Sequence, residues 1–304
     1  MRIGIAGLGR MGGAIGLRLL EVGHQVVVWN RSMEKCQPLV AAGATLATSP
    51  SELAAQVETV ITIVTNAEAL AAVYDGPTGV LAQPITGKLV IDMSTVQPAD
   101  SRALAAKVQA GGGTFVECPV GGTTAPARQG KLLGLVGASA ADLARARPLL
   151  DQLCRRVEHV GPVGAGASIK LAINLPLLVA YQALGEAFLL CRHLGLDNTA
   201  LMELFSDTSG GPNILKVRGP AIAAALSGAE PGPPAFDVDS IRKDLRTMIA
   251  EAKLHGTTLP LVEKTLAIFD DASRDGWGGR DGSWLPAYWP KRQVGVNERL
   301  GADG

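Results

Sequence analysis

The stretch RIGIAGLGRMGGAIGLRLL, residues 2–20, restricts how this chain can fold more than any other. A β-rich apolar run, RIGIAG, leads directly into G-x-G-x-x-G at residues 7–12, and the residues after it have helical periodicity. A strand that turns into a helix across three spaced glycines opens a βαβ unit of the kind that receives a dinucleotide. In that pattern Gly7 permits the tight turn, Gly9 lets the backbone approach a pyrophosphate, and Gly12 lets helix and strand pack closely. Leu8, Arg10 and Met11 lie between them, so their backbone amides line the anion site at the helix N-terminus.

The rest of the first half repeats the alternation. QVVVWN (25–30), ETVITIV (58–64), KLVIDM (88–93), GTFVECPV (113–120) and LLGLVGA (132–138) read as strands, with alanine- and leucine-rich helical stretches between the earlier ones. Fully apolar strands alternating with helices imply an α/β, doubly wound parallel sheet of the Rossmann type, covered on both faces. After about residue 162 no strand-like run appears. Helical periodicity covers 167–193, 198–206, 220–226, 239–255 and 259–275. The expected organisation is a Rossmann domain over 1–162, an all-α domain over 163–292 and a flexible tail over 293–304.

Charge narrows the partners. The chain has 28 basic and 28 acidic residues among 304, so no nucleic-acid or anionic-membrane partner is expected. Arg10 interrupts the apolar N-terminus, which argues against a signal peptide. The longest apolar stretch, 171–191, carries Asn174, Gln182 and Glu186, and so reads as a buried helix rather than a membrane span. Four scattered cysteines without C-x-x-C spacing suit reduced thiols in a cytoplasmic protein, and no metal site is expected.

The second strand ends in Trp29-Asn30-Arg31-Ser32. A site for NAD normally places Asp or Glu here, on the ribose 2′-hydroxyl. Asn30 with Arg31 and Ser32 instead suits a 2′-phosphate, so the expected coenzyme is NADP, with NAD as the alternative. Farther along, GPVGAGASIKLAINLPL (161–177) joins the two expected domains. On a helix Lys170 and Asn174 share one face. A lysine can donate to, or take a proton from, the oxygen of a hydroxyl or carbonyl substrate, and an amide can orient that substrate.

GLGRMG (7–12), VTN (64–66), DMSTVQP (92–98), ECPVGGTTAPARQGKL (117–132), GAGASIKLAIN (164–174), IRKDL (241–245) and GRDGSWL (279–285) occur in that order. With this series the chain resembles the β-hydroxyacid dehydrogenase family, which includes 3-hydroxyisobutyrate dehydrogenase, tartronate semialdehyde reductase and sulfolactaldehyde reductase. The resemblance implies that Lys170 is the general acid/base and that Asn174 contacts substrate. It also implies that Val64, Thr65, Asn66 and Thr95 line the cofactor, with Ser94 beside the substrate. Lys243 would close over cofactor and substrate, supported by Asp244.

One motif departs from the family. The loop usually read D-A-P-V-S-G-G is here Glu117-Cys118-Pro119-Val120-Gly121-Gly122-Thr123. Gly121 replaces the serine, while Thr123 or Thr124 can restore a hydroxyl. The sulfolactaldehyde branch carries arginine at the position of Gly122, so its absence argues against a sulfonate. The downstream Gly130-Lys131 is no Walker A loop, because Ala125 occupies the first glycine position and Leu132 follows the lysine. Three of the four tryptophans lie in 276–292, near Asp281, where pocket shaping, a subunit contact and simple packing all remain open.

The implied activity is reversible hydride transfer between NADP(H) and a short 3-hydroxy acid or its semialdehyde, a small carboxylate, by a homodimer or homotetramer. Imine reduction on the same architecture and a non-catalytic dinucleotide-binding protein are the rivals. Retention of Lys170 argues against both.

Overall fold

A computed structural model describes residues 1–208, 211–289 and 292. The chain forms two compact units, Met1–Ala172 and Ile173–Gly304. Their division falls inside a helix. The expected tail, 293–304, lies outside the described residues.

In the first unit β1 (Arg2–Ala6) runs into α1 (Arg10–Glu21), followed by β2 (Gln25–Trp29), α2 (Gln37–Ala41), β3 (Thr45–Leu46) and α3 (Pro50–Ala55). Next come β4 (Thr59–Thr62), α4 (Ala67–Tyr74), β5 (Leu89–Asp92), α5 (Pro98–Ala110) and β6 (Thr114–Glu117). The unit continues through β7 (Val120–Gly121), α6 (Thr124–Arg128), β8 (Leu132–Gly137), α7 (Ala140–Leu153) and β9 (Cys154–Gly161) to the start of α8 (Ala165–Cys191). Along the sheet the order is β3-β2-β1-β4-β5-β6-β8-β7, with β9 on β8. The strands from β3 to β6 are parallel, in the doubly wound order expected of a dinucleotide fold.

Two apolar layers explain why the strands read as continuous hydrophobic runs. Ile3, Ile5, Val26, Val28, Ile61, Leu89, Ile91 and Val116 pack on one face. Ala6, Val27, Val60, Val90 and Phe115 pack on the other, with Leu53, Tyr74 and Leu104 of the covering helices. A side-chain period of two, with both faces buried, requires this pattern.

Three features differ from the sequence expectation. The run 113–120 is broken at Cys118-Pro119, because proline has no amide for the ladder. Its second piece, β7, then pairs antiparallel with β8. The edge strand β9 is also new: CRRVEHVG buries only Cys154 and Val157, three residues apart, so it shows no alternation and reads as polar. β3 has only two residues, both exposed, and offers no pattern at all.

The second unit holds the rest of α8, with α9 (Asn198–Ser206), α10 (Leu215–Leu226), α11 (Val238–Leu254) and α12 (Pro260–Ala272). Leu184, Phe188, Leu201, Met202, Leu215 and Ile222 form one core, in which Phe188 and Phe205 meet edge to face at 5.2 Å. By length and apolarity α8 could also cross a bilayer. It nonetheless buries Leu178, Tyr181, Leu184 and Phe188 at three- and four-residue spacing within protein.

Candidate active site

The three glycines after β1 do different jobs. Gly7 has φ +102°, and a Cβ there would stand 2.3 Å from the Ile63 carbonyl oxygen. A Cβ on Gly12 would stand 1.9 Å from the Gly7 carbonyl oxygen, whereas one on Gly9 meets nothing within 4 Å. Two glycines therefore close the turn against neighbouring backbone, and Gly9 leaves an open face. Amides in the first turn of α1 have no partner within the helix. Gly9, Arg10, Met11 and Gly12 thus form a cradle that fits a dinucleotide pyrophosphate, whereas the Leu8 amide, expected to join them, is taken by Asn30.

Asn30 has a role its sequence position did not reveal. Its Oδ1 accepts from the Leu8 amide at 2.9 Å, and its Nδ2 donates to the Ser32 carbonyl at 2.9 Å. The side chain ties the first βα turn to the end of β2. Arg31 beside it is exposed and Ser32 half-buried.

At the carboxyl ends of β4, β5 and β6, Thr62, Asp92 and Glu117 stand in register as neighbours. All three are buried. Tyr74 and Thr62 share a hydrogen bond between their hydroxyls. The Ser94 hydroxyl donates to Asp92 Oδ1 at 2.7 Å and accepts from the Val64 amide at 3.0 Å. Ser94 therefore fastens the loop after β4 to the end of β5, and its only proton goes to Asp92. In that loop Thr65 is exposed, and Asn66 caps α4 through the Ala69 amide at 2.9 Å. Thr95, just beyond Ser94, is half-buried. Burial pushes Asp92 up to about 7, against the opposing hydrogen bonds from Ser94.

Glu117 begins the substrate-loop motif and is fully buried. Its carboxylate accepts from the backbone amides of Gly164 and Ala167 at the start of α8. Burial raises its pKa, with the two amides and Arg102 pulling the other way. Beyond it Gly121 and Thr123 are half-buried and Gly122 is exposed, at φ +122°. Thr123 precedes α6 but makes no capping hydrogen bond through its hydroxyl, and Thr124 opens that helix half-buried. Lys170 is half-buried on α8, which runs unbroken past Pro176 and presents Lys170 and Asn174 on one face.

In the helical unit Asp244 is a buried pivot. Its Oδ2 accepts from Asn174 Nδ2 at 3.1 Å, and its Oδ1 pairs with the Lys243 ammonium. Asn174 is thus committed through one amide hydrogen to Asp244, a partnership that four-residue spacing on α8 does not disclose. Asp281 Oδ2 accepts from the amides of Ala235 and Phe236, at 2.7 and 3.1 Å. Its Oδ1 accepts from Ser283, amide and hydroxyl, at 3.0 and 2.7 Å. This fastens 281–284 to the segment entering α11, so Asp281 is a clasp. Trp277 packs edge to face on Tyr288 at 5.3 Å with Arg280 over its ring, and Trp284 is buried.

Sequence reasoning passed over Asp92 and the bonds of Glu117. The available signal was a carboxylate ending an otherwise apolar strand, which needs a partner once buried.

Known proteins bear directly on this geometry. Residues 2–161 match the family described as the NAD binding domain of 6-phosphogluconate dehydrogenase. Residues 164–288 match the NAD-binding of NADP-dependent 3-hydroxyisobutyrate dehydrogenase. Glyoxylate/succinic semialdehyde reductase 1 of Arabidopsis thaliana is 33% identical, over 92% of this chain and 96% of that relative. The chain belongs to the β-hydroxyacid dehydrogenase family. Another member of the family, 3-sulfolactaldehyde reductase of Escherichia coli, is 34% identical over 92% of this chain and 93% of its own length. The solved 3-hydroxyisobutyrate dehydrogenase of Salmonella typhimurium superposes with a TM-score of 0.83 at 28% identity, covering 94% of this chain and 99% of that one. An imine reductase from Pseudomonas sp. shares the fold alone, at 22% identity and a TM-score of 0.61 over 93% of this chain and 97% of its own. The β-hydroxyacid dehydrogenases among these relatives are named for work on hydroxyl or aldehyde groups, so this chain is an oxidoreductase with a nicotinamide dinucleotide site.

Proposed function

We propose that the protein reversibly interconverts a short 3-hydroxy acid and its semialdehyde with NADP(H), as a cytoplasmic homodimer or homotetramer. The observation that carries this reading is Lys170, half-buried on the helix whose first turn is bound by the residue that opens the glycine–threonine loop. The Gly7–Gly12 cradle would hold the pyrophosphate of a nicotinamide dinucleotide, which when bound would supply or accept the hydride. In reduction the Lys170 ammonium donates its proton to the carbonyl oxygen as negative charge grows there, and in oxidation the neutral amine takes it back. Backbone amides at Gly121 and Gly122 and the hydroxyls of Thr123 and Thr124 suit a carboxylate. Within the helical unit, Asn174 and Lys243, both bonded to Asp244, are side chains suited to a small polar substrate.

Gly122 in place of arginine favours a carboxylate over a sulfonate. Exposed Arg31 at the end of β2, with no carboxylate beside it, favours NADP. Lys170 itself favours carbonyl chemistry over imine reduction and over a non-catalytic role.

The test is NADPH oxidation with glyoxylate, succinic semialdehyde, methylmalonate semialdehyde and tartronate semialdehyde. At least one should turn over. Lys170→Ala should then cut kcat by roughly 10²–10⁴-fold and leave NADPH affinity within about two-fold. Tight NADPH binding with no turnover on any aldehyde would overturn the reading.

A further inference from the structure

We infer that Glu117 is a positioning residue for the reaction, locking the helix turn that carries Lys170 to the loop that takes the substrate's acid group. The inference rests on the function proposed above for Lys170. Both carboxylate oxygens are committed to α8: Oε2 accepts from Gly164 and Oε1 from Ala167. Lys170 lies three residues beyond Ala167, a rise of about 4.5 Å on nearly the same side of the helix.

The space for this carboxylate is cleared by two glycines. A Cβ on Gly166 would stand 2.8 Å from Oε1, and one on Gly137 2.8 Å from Oε2. On the other side, Glu117 is fixed by its strand. It pairs in register with Asp92, and the next amide, Cys118, donates to the Asp92 carbonyl at 2.7 Å. The residues that follow Cys118 are the glycine–threonine loop itself. One side chain therefore couples loop and helix inside a single unit. The family motif quoted above has aspartate here, with the same charge and one methylene less reach. Charge with approximate placement is thus the shared requirement.

An ordinary structural cap would have the same bonds, so the test must separate the two roles. Full-length Glu117→Gln, Glu117→Asp and Lys170→Ala variants are assayed with NADPH and succinic semialdehyde, glyoxylate or whichever aldehyde of the panel turns over. Misplacing a reacting group by an ångström can cost about 10²-fold, so Glu117→Gln should lower kcat by roughly 10–10²-fold with the KM for NADPH within about two-fold. Glu117→Asp should recover most of that loss. Competitive acetylation of Lys170, read by peptide mass spectrometry across pH, needs no turnover. In Glu117→Gln the Lys170 amine should become reactive at lower pH, because a carboxylate at the helix N-terminus is gone while Arg102 on α5 and Asp92 on β5 remain.

Wild-type kcat and wild-type Lys170 labelling in Glu117→Gln overturn the inference. So does a joint fall of kcat, NADPH affinity and melting temperature without recovery in Glu117→Asp. If Glu117→Gln does not fold, Glu117→Asn beside Glu117→Asp decides: a lower kcat in Asn than in Asp at unchanged NADPH KM supports positioning, and equal kcat values remove it. Activity surviving in Lys170→Ala sinks the functional reading instead, and the labelling still reports on Glu117.

Discussion

Asp92 shows how far a single residue can depart from its model chemistry. Its carboxyl is buried, one oxygen is bonded to Ser94, and Oδ2 has no hydrogen-bond partner among the described residues. With its pKa pushed up to about 7, the folded chain keeps a proton that the unfolded chain releases near pH ~4. The folded state binds more protons in that window, so its stability falls as pH rises from about 4 through 7. Asp92→Asn removes the titration and keeps an oxygen for Ser94. Compared with the wild type, it should gain stability between pH 5 and pH 8, by roughly 1–4 kcal/mol, in urea melts. Equal pH slopes for the two proteins would contradict this. Arg31 is exposed at the end of β2 and is the residue proposed to set coenzyme choice. Arg31→Asp should reverse the coenzyme preference by about tenfold or more in Kd, measured by titrating NADPH and NADH, because a carboxylate repels a 2′-phosphate and accepts a ribose hydroxyl.

Among the elements, α11 depends most on something outside itself. Burial alone would raise the pKa of Asp281, but hydrogen bonds from Ser283, Phe236 and Ala235 outweigh it and hold the carboxylate below its usual range. The stabilisation is complete above the unfolded pKa of ~3.9 and is lost as pH falls through the lower folded value. Asp281→Asn replaces one carboxylate oxygen by an amide donor that faces two of the four donors, and should cost about 2–4 kcal/mol at pH 7. Thermal melts should show the gap from wild type closing below about pH 4. A pH-independent gap would count against the clasp. Elements like α11, α8, β1, β2, β4, β5 and β6 were legible because one period ran through each. The edge strand β9 was hidden, because adjacent exposed arginines leave it without alternation. At the site, Gly7, Gly9 and Gly12 could be read because backbone geometry restricts them to one residue type. The bonds of Asn30, Ser94 and Asp244 could not, since each joins residues far apart in sequence and no local pattern encodes such a pairing.

The two units of the whole molecule differ in how they meet solvent. Apart from Met1, every described large hydrophobic more than half exposed lies in the helical unit: Leu190, Leu194, Leu204, Val217, Leu254 and Leu261. Scattered surface leucines are ordinary, but this concentration in one unit suits a face that a second copy covers. Light scattering on the eluting peak should give a mass that is a whole multiple, two or four, of 31.4 kDa. A 31.4 kDa species at micromolar concentration would rule this out.

The glycine pair in the loop proposed to take the acid group also sets which changes the protein can tolerate. A Cβ at Gly121 meets Leu133 only at 3.5 Å, an ordinary contact, whereas at Gly122 it meets Leu132 at 2.9 Å on a backbone that L-residues avoid. A descendant could regain the family's serine at Gly121 by a single replacement and stay folded. An arginine at Gly122 demands a rebuilt loop first. Adaptation toward new acids therefore has one open door here and one closed, and substrate range in this lineage should drift through position 121.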